Sequence, residues 1–461
     1  MNFKELLKWI DGEVLIKTEE TKFNKLSTDT RKIETNNIFL ALKGENFNGN
    51  KYVKEAFDKG ASIVIIDEVL IDLNEMEGKG TIIKVRDTSE ALLSLAKEYR
   101  KKLNIKVVGI TGSTGKTSTK DLVAAFLSGK YKVFKTKGNF NNHIGLPLMI
   151  LELDSSYDVA VLELGMSNLG EIHTLAECAR PDIAIITNVG LSHIENLKTR
   201  ENILKAKLEI VDFFDDNNLL IVNAEDDYLK NLTNMNYKII KTGLQDGNDY
   251  VGSQVTLGED YTSFTSEADG VKYVFKLPMI GAHNVLNALL AIATSRALDV
   301  TYEEMSNSIN NIENTSMRLE FIQGEKFTII NDCYNASPDS MKAALDVLKS
   351  RNGKRKIAIL GTMNELGEVA KEAHNDVGQY AADKVDLLIV TGDYKEDYKM
   401  GYEREDIIIY NRKDELITSL RDIVKKDDIV LVKASRGIKF EEIVNELKKL
   451  NEGVTANLSS I

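Results

Sequence analysis

The sequence predicts an α/β protein in three domains: a small N-terminal α/β unit over residues 1–85, a central, mostly parallel sheet over 86–315, and a Rossmann-like, doubly wound unit over 316–461. Three observations carry that expectation. A chain of 461 residues is long enough for about three domains. From residue 86 onward, short apolar runs alternate with helical periodicities, the order that a parallel sheet with covering helices requires. One of those runs, 105–110, empties into a glycine-rich turn and then a helix.

The first ten residues read as an amphipathic helix, too rich in lysine and glutamate for a signal peptide. A strand is expected over 37–42, a helix over 53–59 and a second strand over 61–66. The polar loop 43–50 separates the first two, and 27–31, upstream, reads either as a solvated turn or as a binding loop. Charged residues over 72–79 suggest the approach to a domain boundary, and a helix over 91–102 leads into the central unit. There, strands are expected at 105–110, 159–164, 183–187 and 219–222, followed by antiparallel strands within 251–275. A long helix over 282–297 carries Val285, Leu289 and Ile292 on one face. The third unit shows strands at 327–331, 356–360, 386–391, 406–410 and 428–433. Its first helix has Ser337 at the N-cap and Pro338 at the first helical position. No G-x-G-x-x-G follows the first strand of this unit, which argues against a dinucleotide there.

Composition narrows the function. Hydrophobic residues make up 43% and charged residues 28% of the chain, ordinary for a protein with real cores. A net charge of −12 argues against nonspecific binding to nucleic acid or anionic membranes. No uncharged stretch approaches a membrane span. The two cysteines, Cys178 and Cys333, form no ligand pair and suit a reducing compartment, so a cytoplasmic location is expected.

The glycine-rich turn carries the chemistry. Gly112, Ser113, Thr114, Gly115, Lys116, Thr117 and Ser118 stand between the strand and the helix. This is the context of a phosphate-binding loop, and the central domain is therefore expected to be of the P-loop ATPase type. Backbone N–H groups near Gly112 and Gly115 would converge on phosphate oxygens at the helix N-terminus. Lys116 would reach the β/γ-phosphates and the Thr117 hydroxyl would meet Mg²⁺. The strict G-x-x-x-x-G-K-[ST] pattern is not met, because Ile110 holds its first position and the glycine sits at 109.

Other candidates fall at strand ends or on unusual faces. Glu163 ends a strand and would offer Mg²⁺ a hard oxygen, or cap a helix. His193 lies beyond the end of the next strand. Lys207 shares a stripe with Ile203, Ile210 and Phe214. A lysine there either snorkels or, by burial, loses its proton and becomes available for chemistry. Asn139, Asn141 and Asn142 lie in an amide-rich segment that suits a polar substrate or an ordinary turn. Asn284 and Asn287 sit one helical turn apart and could read a base edge. Asp332 ends the first strand of the third unit, where a ribose hydroxyl would want an acceptor. Arg318, Lys433 and Arg436 are cations at element ends, suited to phosphate or carboxylate.

Together these stretches resemble the Mur ligase family, ATP-dependent enzymes that build the peptide of bacterial cell-wall precursors. The resemblance covers nearly the whole chain. Family-wide features are the loop 111–118, Glu163, His193, Ala206-Lys207, His283-Asn284 with Asn287, and Arg318. The segments 138–147, 163–171, 332–341, 361–368 with His374, and 432–436 resemble the branch that adds a dipeptide. The Asp-Asn-Pro-Arg signature of the diaminopimelate-adding branch is absent.

The resemblance implies a ligase joining D-alanyl-D-alanine to UDP-N-acetylmuramoyl-tripeptide through an acyl phosphate, in peptidoglycan synthesis. It implies ATP and Mg²⁺ as cofactors and a carbamate, the CO₂ adduct, on Lys207. Lys116, Glu163, His193 and Lys207 become the expected catalytic set, with Thr117, Glu163, His193 and Lys207 toward the metal. Asn284, Asn287, Arg318 and Asp332 would join the loop in holding ATP. Ser27, Thr30 and Arg31 of an N-terminal UDP-binding unit, Asn139, Asn141 and Asn142, and Tyr334, Asn335 and Ser337 would meet the substrates. No nucleic acid or membrane partner is implied, and a monomer is expected. The chain departs from the family at Asn36-Asn37, at Phe47-Asn48-Gly49-Asn50 and at Thr362-Met363-Asn364. Rival readings are a ligase adding a single amino acid, a nucleotide-gated binding protein, and a kinase or motor using the same loop.

Overall fold

A computed structural model describes residues 1–18, 21–233, 235–313 and 315–452. Its N-terminal sheet has five strands in the order 13–16, 81–84, 63–66, 38–40, 26–27, all parallel except the first. Ile63–Ile66 is buried along its whole length, as a central parallel strand should be. The charged run 72–79 is followed by one more strand of the same sheet before the chain leaves it. It holds a short turn, Leu73–Met76, that buries Met76, and the chain then returns to the same sheet at Thr81–Lys84.

The link to the central domain is the helix Thr88–Arg100, capped by Asp87, whose carboxylate accepts from the amides of Ser89 and Glu90. Ala91, Leu92 and Leu95 pack into the N-terminal core, while Ala96 belongs to the central one. At its far end Arg100 donates to the carbonyls of Ala179, Leu103 and Ile105.

The central sheet has nine strands in the order 271–277, 262–268, 250–257, 238–243, 219–223, 183–186, 106–111, 159–163, 133–135. Seven run parallel, and the first two, 271–277 and 262–268, form the expected antiparallel edge. Strands Val133–Lys135 and Lys238–Gly243 escape sequence reading because each is short or lysine-interrupted. Helices Lys116–Leu127 and His283–Ala297 cover one face, where Leu122, Val123 and Phe126 meet Val285, Leu289 and Ile292 in one core. Phosphate loop and Asn284–Asn287 are thereby side by side.

The third sheet runs 320–323, 328–331, 428–433, 355–360, 387–391, 407–410, parallel but for the first strand. The five expected strands are present and Glu320–Gln323 is an addition at the edge. The last strand of the chain inserts beside the second, so the carboxyl ends carrying Asp332, Lys433 and Gly361 become neighbours. In open α/β sheets that end of the strands faces ligands.

Candidate active site

The phosphate loop keeps its shape through contacts that only glycine permits. Gly112 has φ 151° and a Cβ there would lie 1.8 Å from Thr187 Oγ1. Gly115, at φ 78°, would carry a Cβ 2.8 Å from Asn287 Oδ1. The segment 187–190, just after the strand Ile183–Ile186, braces the loop. Thr187 Oγ1 donates to Thr114 O at 2.5 Å, Asn188 Oδ1 accepts from Thr114 N at 2.9 Å, and Gly190 N donates to Ser113 Oγ at 2.9 Å. Lys116 Nζ donates to Gly112 O at 2.6 Å. Burial lowers the Lys116 pKa, with Arg318 pushing the same way and Glu163 and Glu365 opposing.

Glu163 is 2% exposed, and Thr117 Oγ1 donates to its Oε2 at 3.4 Å. Its other oxygen, Oε1, is buried without a hydrogen bond. The charge nearest to that oxygen is one that sequence reading missed. Lys120, one helical turn beyond Lys116, places Nζ 3.6 Å from Glu163 Oε1 and 3.3 Å from Asp121 Oδ1, and donates to Thr136 O at 3.1 Å. Thr136 Oγ1 in turn accepts from Glu163 N at 2.9 Å. The signal was available: Lys120 interrupts an otherwise small or apolar helix face. Replacing Lys120 by methionine is expected to cost about 3–5 kcal/mol, because it leaves a buried carboxylate unpaired. The double variant Lys120→Met, Glu163→Gln should recover most of that loss in urea denaturation, since both charges then go.

Lys207 is 1% exposed, on the stripe expected for it, although its helix ends at Leu208 and a tighter turn, Glu209–Val211, continues. Burial lowers its pKa well below the usual lysine range, the Lys116 charge adds to this, and Asp226 pulls the other way. Lys205 is exposed.

His193, at φ 64°, places Nδ1 2.6 Å from Glu365 Oε2, across the boundary between the central and C-terminal domains. The contact lowers the Glu365 pKa, against the opposing effect of burial. Glu195 N also donates to Glu365 O at 3.0 Å. The loop carrying Glu365 is anchored by the fully buried His374, whose Nε2 accepts from Met363 N at 2.9 Å and whose Nδ1 faces Ala370 O at 2.6 Å. This pairing needs the neutral ring, and burial lowers the His374 pKa. Its contribution is therefore complete above the unfolded value, about 6.5, and is lost as pH falls from there toward the folded value. Thermal denaturation should show stability falling by up to ~1.4 kcal/mol per pH unit in that window, and His374→Gln should flatten the slope.

One cleft, about 820 Å³, joins these parts. It is lined by Ser113 to Ser118, Glu163, His193, Asn284 and Asn287 of the central domain, and by Arg318, Asp332, Tyr334, Asn335 and Ser337 of the third. Arg318 stacks its guanidinium 4.1 Å from the Tyr334 ring centre, and its Nε is buried without a hydrogen-bond partner. The flanking Met317 and Leu319 both take positive φ, 61° and 48°, a strain that fixes the arginine between them. Asp332 lines the cleft with both oxygens engaged, Oδ2 by Lys433 Nζ at 2.6 Å and Oδ1 by Leu319 N at 3.1 Å. Asn287 Oδ1 accepts from Thr119 Oγ1 at 3.2 Å, and Asn284 Nδ2 donates to Ile280 O at 3.0 Å.

Other sequence candidates stand differently. Asn141 and Asn142 line the cleft, but Asn142 Oδ1 also accepts from the amides of Ile144 and Gly145 and so starts the helix Gly145–Leu151. Ser27, Thr30, Arg31 and Asn139 do not line it. Arg31 folds back on Asp29 in an ion pair at 2.9 Å that holds the Asp29 pKa down to about 2. Lys207 lies behind the lining rather than in it. Asp339, not singled out from sequence, does line it.

The donors near the loop suit a hard divalent cation that keeps phosphate and water ligands. The orphaned Glu163 Oε1 and the Thr117 hydroxyl are the observations that fit. No group of three or more His, Cys, Asp or Glu side chains could hold a metal among the described residues. Since His193 Nδ1 meets Glu365, a metal contact would fall to Nε2.

Comparison with known proteins places the chain. Residues 22–100 match the Mur ligase family catalytic domain, 110–295 the Mur ligase middle domain, and 317–436 the Mur ligase glutamate ligase domain. A UDP-N-acetylmuramoyl-tripeptide--D-alanyl-D-alanine ligase of Bacillus subtilis is 40% identical over 93% of this chain and 94% of its own. The chain belongs to the Mur ligase family. The enzyme of the same name from Escherichia coli is 31% identical, over 97% of this chain and 98% of that one. Among solved Mur ligases, MurF from Acinetobacter baumannii superposes with a TM-score of 0.87 at 29% identity, covering 97% of this chain and 98% of that one. The MurF ligase of Thermotoga maritima in complex with ADP gives 0.82 at 28% identity, covering 94% and 99%. Three α/β domains with mostly parallel sheets are thus the Mur ligase architecture of this chain, and no described helix is long and apolar enough to cross a membrane.

Proposed function

We propose that the chain joins D-alanyl-D-alanine to UDP-N-acetylmuramoyl-tripeptide, spending ATP to activate the tripeptide carboxylate, in the cytoplasmic assembly of peptidoglycan precursors. The observation that carries the reading is one cleft that presents a phosphate loop with its buried Glu163 on one wall and Arg318, Lys433 and Asn335 on the other. Relatives sharing nearly the full length all bear this activity in their names.

The proposed sequence starts with ATP on the loop. Backbone N–H groups from 112 to 117 and Lys116 hold the β/γ-phosphates, and Asn284 and Asn287 face the base. Arg318 offers its orphaned Nε to a phosphate or carboxylate. Asp332, braced by Lys433, presents its remaining lone pairs to the ribose. Thr117, Glu163, His193 and a carbamylated Lys207 would hold Mg²⁺, which neutralises phosphate charge when bound. Burial favours the unprotonated amine of Lys207, and that is the form that would add to CO₂, losing one N–H proton to become an anion. The tripeptide carboxylate attacks the γ-phosphorus, ADP leaves, and the resulting acyl phosphate is attacked by the dipeptide amine. In this reading Asn139, Asn141, Asn142, Tyr334, Asn335 and Ser337 contact the substrates, and Ser27, Thr30 and Arg31 of the N-terminal unit contact the nucleotide end of the larger one. Domain closure would exclude water from the acyl phosphate.

The test is phosphate release with ATP, Mg²⁺ and UDP-N-acetylmuramoyl-tripeptide, comparing D-alanyl-D-alanine with single amino acids. Turnover with the dipeptide alone supports the reading. Turnover with a single amino acid overturns it in favour of another branch, and ATP binding without turnover overturns it in favour of a binding protein.

A further inference from the structure

Amide formation needs an amine that has shed its proton. The α-amino group of an acceptor has a pKa of about 7.7–8.0, so near neutral pH most of it arrives as the ammonium ion. A cleft that uses such a nucleophile benefits from an anion to hold the ammonium and then take its proton.

Most carboxylates in the cleft are committed. Glu163 faces Thr117 and Lys120, and Asp332 holds Lys433. Glu320 accepts from Asn331 Nδ2 and Met317 N, and Glu171 from Ser167 N and Asn168 Nδ2. Glu259 and Asp260 lie on an exposed turn at the rim. Asp339 is the exception. Its side chain is open to the cleft and, among the described residues, accepts no hydrogen bond and forms no ion pair.

Its position is specific. Asp339 belongs to the first turn of the helix Pro338–Lys349 in the third domain, yet it reaches the central one. A Cβ built on Gly190 would lie 2.4 Å from Asp339 Oδ2 and 3.4 Å from Ser113 Cβ, so the carboxylate stands directly against the segment that braces the phosphate loop. A side chain at position 190 would push this carboxylate aside, so Gly190 leaves it room to stand there. Although accessible from the cleft, Asp339 is surrounded by its walls, and this desolvation raises its pKa, opposed by Lys342 on its own helix and by Arg200, and aided by Asp226 and Asp227. Arg200 is itself spent on Asp227 and on the carbonyl of Val189.

Resting on the ligase reading above, we propose that Asp339 is the catalytic residue that binds the acceptor's ammonium group and removes its proton. The N–H proton passes to an Asp339 carboxylate oxygen. The freed nitrogen lone pair attacks the acyl-phosphate carbonyl, the C–N bond forms and the C–O bond to phosphate breaks. The surplus proton on nitrogen leaves with phosphate as HPO₄²⁻, and the Asp339 carboxyl returns its own to solvent.

The experiment compares Asp339→Asn, nearly isosteric, and Asp339→Glu with the parent enzyme. Asp339→Asn should lower kcat/KM for the acceptor by about 10²-fold at neutral pH, leaving the KM values for ATP and the UDP-linked substrate within about twofold. The deficit should shrink as pH rises through the amine's own pKa, because solvent then supplies the free amine. Asp339→Glu should recover part of the loss. With hydroxylamine, already uncharged at neutral pH, hydroxamate should form equally well in parent and Asp339→Asn. Unchanged acceptor kcat/KM, or an equal loss with hydroxylamine, overturns the assignment. If the parent prefers a single amino acid, the substrate reading fails, and the same comparison on that amine still decides the role of Asp339.

Discussion

Replacing Lys207 by alanine is expected to abolish ligation, by roughly 10³-fold or more, the scale on which positioned charges act in phosphoryl transfer, while leaving the fold intact. The side chain is 1% exposed on a stripe with Ile203 and Ile210, a place where an ammonium ion is destabilising. Burial and the neighbouring Lys116 charge both favour the neutral amine. Stability alone would favour methionine or leucine at such a position. Lys207→Met should therefore match or exceed the parent in thermal denaturation while being inactive. Short carboxylic acids, which supply the anion that a carbamate would, should partly restore turnover to Lys207→Ala. Full activity in either variant would remove the carbamate from the mechanism and leave Lys207 a packing residue.

Gly112→Ala should be the most damaging change in the phosphate loop. Two independent costs meet there: a φ of 151° that an L-residue rarely adopts, and a methyl group only 1.8 Å from Thr187 Oγ1. No van der Waals contact survives at that distance. The Thr187 hydroxyl must move and abandon Thr114 O, and with it the brace that holds the loop open to phosphate. ATP binding by calorimetry should fall below detection, with a stability loss of about 3 kcal/mol or more, in the range of overpacking joined to backbone strain. At Gly115 the same substitution meets the tip of Asn287 at 2.8 Å, a side chain that can turn away, so only the strain at φ 78° remains in full. Adding Thr187→Gly to Gly112→Ala removes the steric part alone. The double variant should regain stability but only part of its ATP affinity, and equal losses in single and double variants would show that the collision is not the cause.

What the sequence by itself determined is the set of features that are local or repeat along the chain. Strands such as Ile63–Ile66, Lys106–Thr111 and Asp428–Lys433 are continuous apolar runs, and a parallel strand covered on both faces needs nothing else. The helix after Ser337-Pro338 and the glycine turn 112–115 are written in residue types whose backbone preferences act within a few positions. The stripe through Lys207 was legible for the same reason, since helical periodicity places one odd residue among apolar ones.

Only the tertiary structure decided which distant groups meet. Strand Asp428–Lys433 inserts between Thr328–Asn331 and Arg355–Leu360, and this alone brings Lys433 to Asp332 across a hundred residues of chain. Lys120 stands out on its helix face, but only the neighbouring strand delivers Glu163 to its amine. The contact between His193 and Glu365, and the approach of Asp339 to Gly190, depend on how the third domain leans on the second. Charge pairing and steric exclusion act through space over a few ångströms, whereas sequence patterns report only what lies along one strand or one helix turn. The phosphate loop could therefore be read from the chain as one piece, whereas Arg318, Asp332 and Lys433, legible singly as candidates, became the wall that faces it only in the folded protein.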